Sequence, residues 1–417
     1  MEKDRLRTTI VSPYPLGKKN IGGVQEYIIS LKPELVRKGC EITLVGPSIK
    51  NRSDNLADET LGISLPISMS NTNYKGGVSL NLLRARNIMR RTDPDILWFH
   101  DPYASVLNTM TLLSGLGFLK NGTSTDAVFH AYTSNLTWAN KRIREVGNLS
   151  GIIRFISGRI EGRAAVSPPP AELWSRVNKE DVREYEILPN PIDTEFFTPN
   201  GSIFEDWGEN GSKILLFAGR HDKRKRLCDV VDALGILIRA GTKLELKVTG
   251  YGDETENVKK QLVRLGLKDF VQFLGLLSKE DLAKAYRTVG KKQGLFVAPS
   301  DDGEAHNRTI SEARASGGLV IATDIAGHRF SYGEEVIFGE MAKPADPEDL
   351  AAKIKAQLSL PEETQDVRRA LGVDFVRNNF SLPVVAQKVV LHHEKLLARR
   401  SIARKGKLSS SGDIFVR

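Results

Sequence analysis

Glu304 and Glu312 stand eight positions apart in the stretch DDGEAHNRTISEARASGG, and between them lie His306, Asn307, Arg308 and Thr309. Carboxylates, an imidazole, an amide and a guanidinium this close together can hold hydroxyls, anions and protons. The stretch is flanked by GLFVAPS and LVIATDIAG, apolar runs that read as buried strands. With Asn307 capping a helix that begins at Arg308, Glu312 falls about one turn into the helix and Glu304 on the preceding loop. The two carboxylates then meet different parts of one ligand. The helix N-terminus offers N–H groups and a positive dipole end to a diphosphate. Spacing alone fits equally well two solvent-facing glutamates and a plain helix cap.

A second cluster follows another apolar run. AGRHDKRKRL, 218 to 227, gathers Arg220, Lys223, Arg224, Lys225 and Arg226. At the carboxyl end of a strand such cations neutralise a departing phosphate; as a bare charge run they form a solvated face. Gly22-Gly23 in NIGGVQEY marks a strand–loop–helix junction, where backbone approaches a ligand closely or simply turns tightly. The full G-x-G-x-x-G fingerprint is absent. His100 and His130 each close a strand-like run, a position open to catalysis and to core packing alike.

The pattern supplies elements to hold these clusters. In the first half, TTIVSPYP reads as a strand, VQEYIISLKPELVRKG as a helix opened at Gly22-Gly23 and stopped at Gly39, and EITLVGP as the next strand. DILWFHDP, DAVFHAYT, AAVSPPPAELWSRV and EYEILPNPID complete that half. The second half repeats the logic. KILLFAGR, LELKVTG, VQFLGLL, GLFVAPS and LVIATDIA are strand-like, with LCDVVDALGILIRAG, ENVKKQLVRLG and SKEDLAKAYRTVG as helices between them. Such alternation predicts parallel sheets covered on both faces. TPNGSIFEDWGENGS, near 198 to 212, predicts a linker. PEDLAAKIKAQL and SLPVVAQKVVLHHEKLLARR predict terminal helices, and KGKLSSSGDIFVR a tail. Two open α/β domains in tandem bind ligand in the crevice faced by the carboxyl ends of their strands.

Composition bounds the rest. A chain of 417 residues suits two domains. The net charge of +9 favours phosphorylated ligands, nucleic acid or anionic lipid and says nothing of fold. Cys40 and Cys228 are far apart, which argues against a disulfide framework or a zinc site and fits a reducing compartment. MEKDRLRTTIVSPYP lacks the apolar core of a signal peptide. VLNTMTLLSGLGFL, 106 to 119, is too short and too interrupted to span a bilayer. The expectation is a cytoplasmic protein, with any membrane contact peripheral and at the inner face of the plasma membrane. LLRARNIMRRTDP, 82 to 94, carries Arg84, Arg86, Arg90 and Arg91. It reads as a basic amphipathic helix suited to an anionic surface, or as an ordinary helix covering the sheet.

Taken together, GGVQEY, VFHAYT, AVSPPPAEL, EILPNPIDTEFFTP, FAGRHDKRKRL, VTGYGDE and GEAHNRTISEARASGGLVIATDIAGH resemble, in order and spacing, the retaining family 4 glycosyltransferases. The resemblance runs from about residue 8 to about residue 400. YPLGKKNIGGVQEY and WFHDPYA are particularly similar to phosphatidylinositol mannosyltransferases and their glycolipid-synthesising relatives. The implied fold is α/β of the GT-B kind: two Rossmann-like, doubly wound domains facing a central cleft. The implied division is 1–200 for the acceptor-side domain and 201–378 for the nucleotide-sugar domain. A helix over 379–403 would cross back to the first domain, and 404–417 would be a tail.

The resemblance also implies roles. Arg220 and Lys225 would bind the donor diphosphate; Arg224 and Arg226 lie one step from Lys225 in register. Glu304 would sit near the transferred sugar and Glu312 on the ribose hydroxyls. Gly23 would bring backbone to the diphosphate, and His130 would line the sugar and acceptor site, with His100 on the same acceptor side. Gly250, Tyr251 and Gly252 would lie beside the nucleobase, and His306, Asn307, Arg308 and Thr309 would also bind the donor. Catalysis would rest on His130, Arg220, Lys225 and Glu304, by front-face attack with retention, without a metal or cofactor. One departure stands out: where the family usually has an aromatic residue and a glycine after the first Glu, this chain has His306 and Asn307. Asn307 can still cap the helix, and His306 could hydrogen-bond a sugar hydroxyl or an acceptor. Two other classes compete. A non-catalytic nucleotide-sugar-binding module would make that departure a mark of lost chemistry. A nucleic-acid-binding protein would use the charge, but the sequence lacks an aromatic–basic platform or reading motif.

Overall fold

The computed structural model describes residues 5–12, 16, 23–46, 55–60, 82–100, 123–129, 158–301, 303–333 and 341–411. The chain divides into two compact units. One comprises Met1–Ala131, Leu136–Pro191 and Leu382–Arg417, and the other is built on Ile192–Ser381.

The first unit contains β1 (Arg7–Val11), α1 (Gly23–Arg37), β2 (Glu41–Gly46), β3 (Glu59–Thr60), α2 (Leu82–Thr92), β4 (Ile96–His100), β5 (Ser124–Phe129), β6 (Gly162–Ala165), α3 (Pro168–Asn178) and β7 (Tyr185–Ile187). The strands form one parallel sheet in the order β3-β2-β1-β4-β5-β6-β7. Every residue of β4, ILWFH, is buried, as a parallel strand covered on both faces requires. The Pro run of SPPPAELW opens α3, because proline's missing N–H is not needed in a first helical turn. Ile88 and Met89 of α2 lie in the core with Phe99 and Val11. The apolar side chains described in that basic helix therefore cover the sheet.

The second unit contains β8 (Lys213–Ala218), α4 (Leu227–Arg239), β9 (Leu244–Thr249), α5 (Thr255–Leu265), β10 (Val271–Gly275), α6 (Lys279–Lys291), β11 (Leu295–Ala298), α7 (Arg308–Ala315), β12 (Leu319–Ala322), α8 (Ala326–Tyr332), α9 (Pro347–Leu358) and α10 (Glu362–Phe380). Its strands are also parallel, in the order β10-β9-β8-β11-β12. Alternate residues of β8 feed two cores. Leu215 and Phe217 pack with Leu234, Val297 and Ile354. Ile214 and Leu216 pack with Tyr286, Phe296 and Ile310 on the other face. This is the period-two alternation of a strand between two helical layers.

α11 (Leu382–Ser411) closes the chain and packs on α1 and β5 of the first unit. It runs past the expected end at 403 into the segment read as a tail. The lone Gly406 there costs only about 1 kcal/mol relative to alanine, too little to stop a helix. The stretch read as a linker is a second correction. Phe204 and Trp207 stack with ring centroids 4.7 Å apart, and Trp207 is buried in the second unit's core. The Gly, Asn and Ser residues around them make turns that carry two aromatic anchors, and the division between units falls at Pro191 and Ile192.

Candidate active site

In the second unit the strand order reverses between β8 and β11, which pair directly through Leu295 with Leu215 and Phe296 with Leu216. Open α/β sheets bind ligands outside the carboxyl ends of their strands at such a reversal. The two polar clusters of the sequence occupy that place, one following each strand.

After β8, Lys223–Lys225 form a 3₁₀ turn capped by Asp222, whose Oδ1 accepts the Lys225 N–H at 3.0 Å. The cap fixes the direction of Lys225. Its Nζ lies 2.9 Å from Oε1 of Glu304. Arg224 Nη1 is 4.0 Å from the same oxygen and donates to the Gly303 carbonyl at 3.1 Å. Gly303 is required here: its φ is +73°, and a Cβ would lie 2.5 Å from Arg224 Nη1. Arg226, in the left-handed region at φ 48°, turns back to Asp229 at 2.6 Å and to Asp301 at 3.5 Å. Arg220 is different. Its side chain is 66% exposed, with Asp222 3.5 Å away, so it offers a cation to solvent.

The Glu304 side chain is mostly withdrawn from water, 12% exposed. Burial pushes its carboxyl up, but the charge of Lys225, with His328, the Lys225 hydrogen bond and Arg224, outweighs burial and holds it at about 2. At neutral pH the group is a carboxylate and can accept hydrogen bonds or face positive charge, but cannot donate a proton.

Asn307 stands at the N-cap of α7, where the sequence put it, yet makes no capping hydrogen bond. Its Oδ1 accepts the Thr309 hydroxyl at 2.7 Å, its Nδ2 lies 3.0 Å from His328 Nε2, and its backbone N–H donates to Ser331 Oγ at 3.0 Å. Arg308 Nη2 lies 3.4 Å from Oε1 of Glu312, which is buried on the first turns of α7. His306 is a correction. It packs against Phe380 and Phe330, with centroids 4.4 and 5.2 Å away, and its Nε2 is 3.1 Å from Ser311 Oγ. Burial, with the nearby Arg308, lowers its pKa to about 3. Its side chain is part of the packing beneath the loop, and only 5% of the residue is exposed to any ligand.

Gly250 has φ +115°, and a Cβ there would sit 1.8 Å from the Gly219 carbonyl; at Gly252 a Cβ would meet the His221 carbonyl at 2.5 Å. The two glycines thus let the loop after β9 lie on the loop after β8. They leave Tyr251 between them 68% exposed. In the first unit Gly23 begins α1 with open space at its Cβ position. His100 is another correction: it is 1% exposed, among the rings of Trp98 and Tyr27 at 4.6 and 5.3 Å. It presents almost no surface to an acceptor, because the last residue of a central parallel strand is still inside the sheet's cover. His130 lies outside the described residues.

Asp222, His328 and Ser331 are the site residues that sequence reasoning missed. Asp222 was signalled by its place three residues before Lys225, the spacing of a cap. His328 and Ser331 sit on the short α8, whose turn of AGHRF carries no clear apolar period. Among the described residues no group of three or more His, Cys, Asp or Glu side chains could hold a metal ion. Among the described residues no helix is long and apolar enough to cross a membrane.

Residues 21–196 match the family described as Glycosyltransferase Family 4, and residues 201–371 the family described as Glycosyl transferases group 1. A phosphatidyl-myo-inositol mannosyltransferase of Mycobacterium tuberculosis is 25% identical over 397 residues, 93% of this chain and 97% of that one. A glycosyltransferase structure from Rickettsia africae superposes with a TM-score of 0.67 at 19% identity, over 95% of this chain and 99% of the other. An Anabaena protein solved with UDP and glucose superposes with 0.68 at 14% identity, over 94% and 100%. The chain thus has the GT-B fold, two units each built on a doubly wound parallel sheet. The chain belongs to the glycosyltransferases, its first part matching family 4 and its second group 1.

Proposed function

We propose that the protein transfers a hexosyl-type sugar from a nucleotide-sugar donor to a lipid-linked or saccharide acceptor, with retention at the anomeric carbon. The observation that carries this reading is the Lys225–Glu304 pair at the β8–β11 reversal, beside Arg220 and the N-terminus of α7. Cleaving a sugar–phosphate bond builds positive charge on the sugar and negative charge on the leaving diphosphate. Arg220, Lys225 and the first-turn N–H groups of α7 stabilise the diphosphate. Glu304, held as a carboxylate, faces the sugar, accepting from its hydroxyls and favouring its developing positive charge. Glu312 takes the ribose hydroxyls, the Gly250–Gly252 loop borders the base, and Gly23 and His130 keep the roles the resemblance implies. The acceptor hydroxyl attacks from the face the diphosphate leaves, and the leaving phosphate takes its proton. The chain's own cations carry the departing charge, and the reading requires neither metal nor cofactor.

The relatives support a donor and acceptor of this kind: one is named for mannosyl transfer to phosphatidyl-myo-inositol, another was solved with UDP and glucose. Contact with an anionic membrane is part of the proposal in electrostatic form. Arg90 and Arg91 of α2 are exposed while Ile88 and Met89 are buried, so attraction would come from charge.

The test is a calorimetric screen of UDP- and GDP-sugars, followed by transfer to lipid and saccharide acceptors and determination of the product's anomeric configuration. Binding of a donor and transfer with retention are expected, lost on Glu304→Ala or Lys225→Ala. Full turnover in both variants, or no donor bound by the wild type, overturns the reading.

A further inference from the structure

His328 lies fully buried on α8, directly behind the Glu304 loop. The two segments touch at Gly327, where a Cβ would lie 1.9 Å from the Glu304 carbonyl. Its hydrogen bonds fix which ring nitrogen carries the proton. Nδ1 is 3.0 Å from the Thr323 carbonyl, which can only accept, so Nδ1 bears hydrogen. Thr323 Oγ1, 3.3 Å from Nδ1, gives its own proton to the Ser300 carbonyl and so is no donor to the ring. Burial, against the pull of Glu304, lowers the ring's pKa to about 4, so it is neutral at physiological pH. Nε2 is therefore a bare acceptor, and the Asn307 amide must turn its NH2 toward it. The Asn307 oxygen then faces the other way, onto the Thr309 hydroxyl. The backbone is gripped as well: Asn307 N–H donates to Ser331 Oγ, and Ser331 Oγ donates to the Gly327 carbonyl at 2.9 Å.

An asparagine at an N-cap ordinarily gives its side-chain oxygen to the N–H of the second or third helical residue, here Thr309 or Ile310. Those are the groups a diphosphate at this helix end would use. Asn307 brings a competing acceptor to the mouth of its own anion site, where a glycine would bring none. The missing cap bond shows the competitor drawn aside. We propose that His328 is a positioning residue: its Nε2 holds the Asn307 amide off the N-terminus of α7 and so keeps the first-turn N–H groups available to the donor diphosphate. The inference rests on the donor-site reading above.

The test is calorimetric titration of GDP and of UDP against wild type, His328→Phe and the double variant His328→Phe/Asn307→Gly. In His328→Phe the Asn307 amide loses its acceptor and caps α7, weakening the better nucleotide about five- to tenfold, the worth of a capping bond. In the double variant no capping side chain remains, and affinity returns to within about twofold of wild type. Loss of a merely structural contact would not be repaired by removing Asn307. Unchanged affinity in His328→Phe, or a loss the double variant does not recover, overturns the inference while leaving the donor site standing. Failure of the wild type to bind either nucleotide overturns the donor-site reading and this inference with it. Long-range 15N–1H NMR of the wild-type His328 ring gives a readout independent of any variant's folding. The Nδ1–H tautomer is expected, and the Nε2–H tautomer overturns the proposal.

Discussion

Two carboxylates, one in each unit, solve the same problem in opposite ways. Glu304 sits on a loop at the end of a strand and is matched by the Lys225 ammonium 2.9 Å away. Asp126 sits inside β5, completely buried, and is matched by two imidazoles of α11: His392 Nε2 on Oδ1 and His393 Nε2 on Oδ2, each at 3.1 Å. Gly162 of the next strand leaves room for the carboxylate, since a Cβ there would lie 2.6 Å from Oδ1. Burial pushes Asp126 up, but the charge and hydrogen bond of His392, with those of His393, hold it well below the usual carboxylate range. For His392 burial lowers the pKa, but the charge and hydrogen bond of Asp126, with the charge of Glu186, together outweigh it and raise it; for His393 burial wins and lowers it. The site therefore favours the charged form of His392 and the neutral form of His393. A buried charge in the middle of a sheet secures the last helix to the first unit. A partly exposed carboxylate at a strand end, matched by one lysine, stands in the candidate site.

The largest effect should fall on the lysine. Lys225→Met should lower kcat about 10²- to 10³-fold, the usual cost of removing one electrostatic stabiliser of a transition state. It should also destabilise the second unit by about 1–3 kcal/mol, because Glu304 keeps only the more distant Arg224 at 4.0 Å. Steady-state kinetics and urea melts read the two effects. Asp126→Asn should destabilise the protein by about 2 kcal/mol through its two weakened hydrogen bonds, with turnover well below the melting point retained. Loss of turnover in a folded Asp126→Asn protein would end the distinction between the two carboxylates. Arg220→Gln should leave the melting temperature unchanged and lower kcat/KM about tenfold, as one charge-assisted contact is lost.

The smallest effect is a pH dependence. His392 has a raised folded pKa, so its contribution is fully present below its unfolded value of about 6.5 and is lost as pH rises through the raised value. Asp126, with a depressed pKa, contributes above its unfolded value of about 3.9 and loses that only as pH falls. His393, kept neutral, works against the folded state as pH falls below about 6.5. Thermal melts of His392→Gln should therefore show a flatter decline on the alkaline side than wild type. The Glu304 carboxyl, held at about 2, should instead lose its contribution only as pH falls below its unfolded value of about 4.3, and an alkaline slope lost in Lys225→Met would break the contrast.

Much of the fold could be read from the chain. β8 to β12 and the helices between them follow from apolar period and glycine stops, because each element is buried in a regular way. What escaped has physical reasons. α8 is short, and α10 carries Val367 and Leu371 on exposed positions, which blurs its apolar stripe. The linker reading failed at Phe204 and Trp207, since turn-forming neighbours say nothing of where two aromatic rings are buried. In the candidate site, Asn307 was legible as a cap position, but its hydrogen bonds were not. They depend on His328 and Ser331, which no local pattern ties to it. His306 and His100 looked available because both follow apolar runs, and depth beneath a loop or within a sheet is not a property of spacing.

The sequence by itself determined two open α/β units, a family likeness and the residue types of the candidate site, because periodicity and charge are local properties. Only the tertiary structure decided which cation meets Glu304, that Asp126 and a histidine pair lie together across the length of the chain, and that the amide of Asn307 is turned toward His328. Those depend on strand order and on helices returning from elsewhere, since a hydrogen bond is set by where two groups come to rest in space.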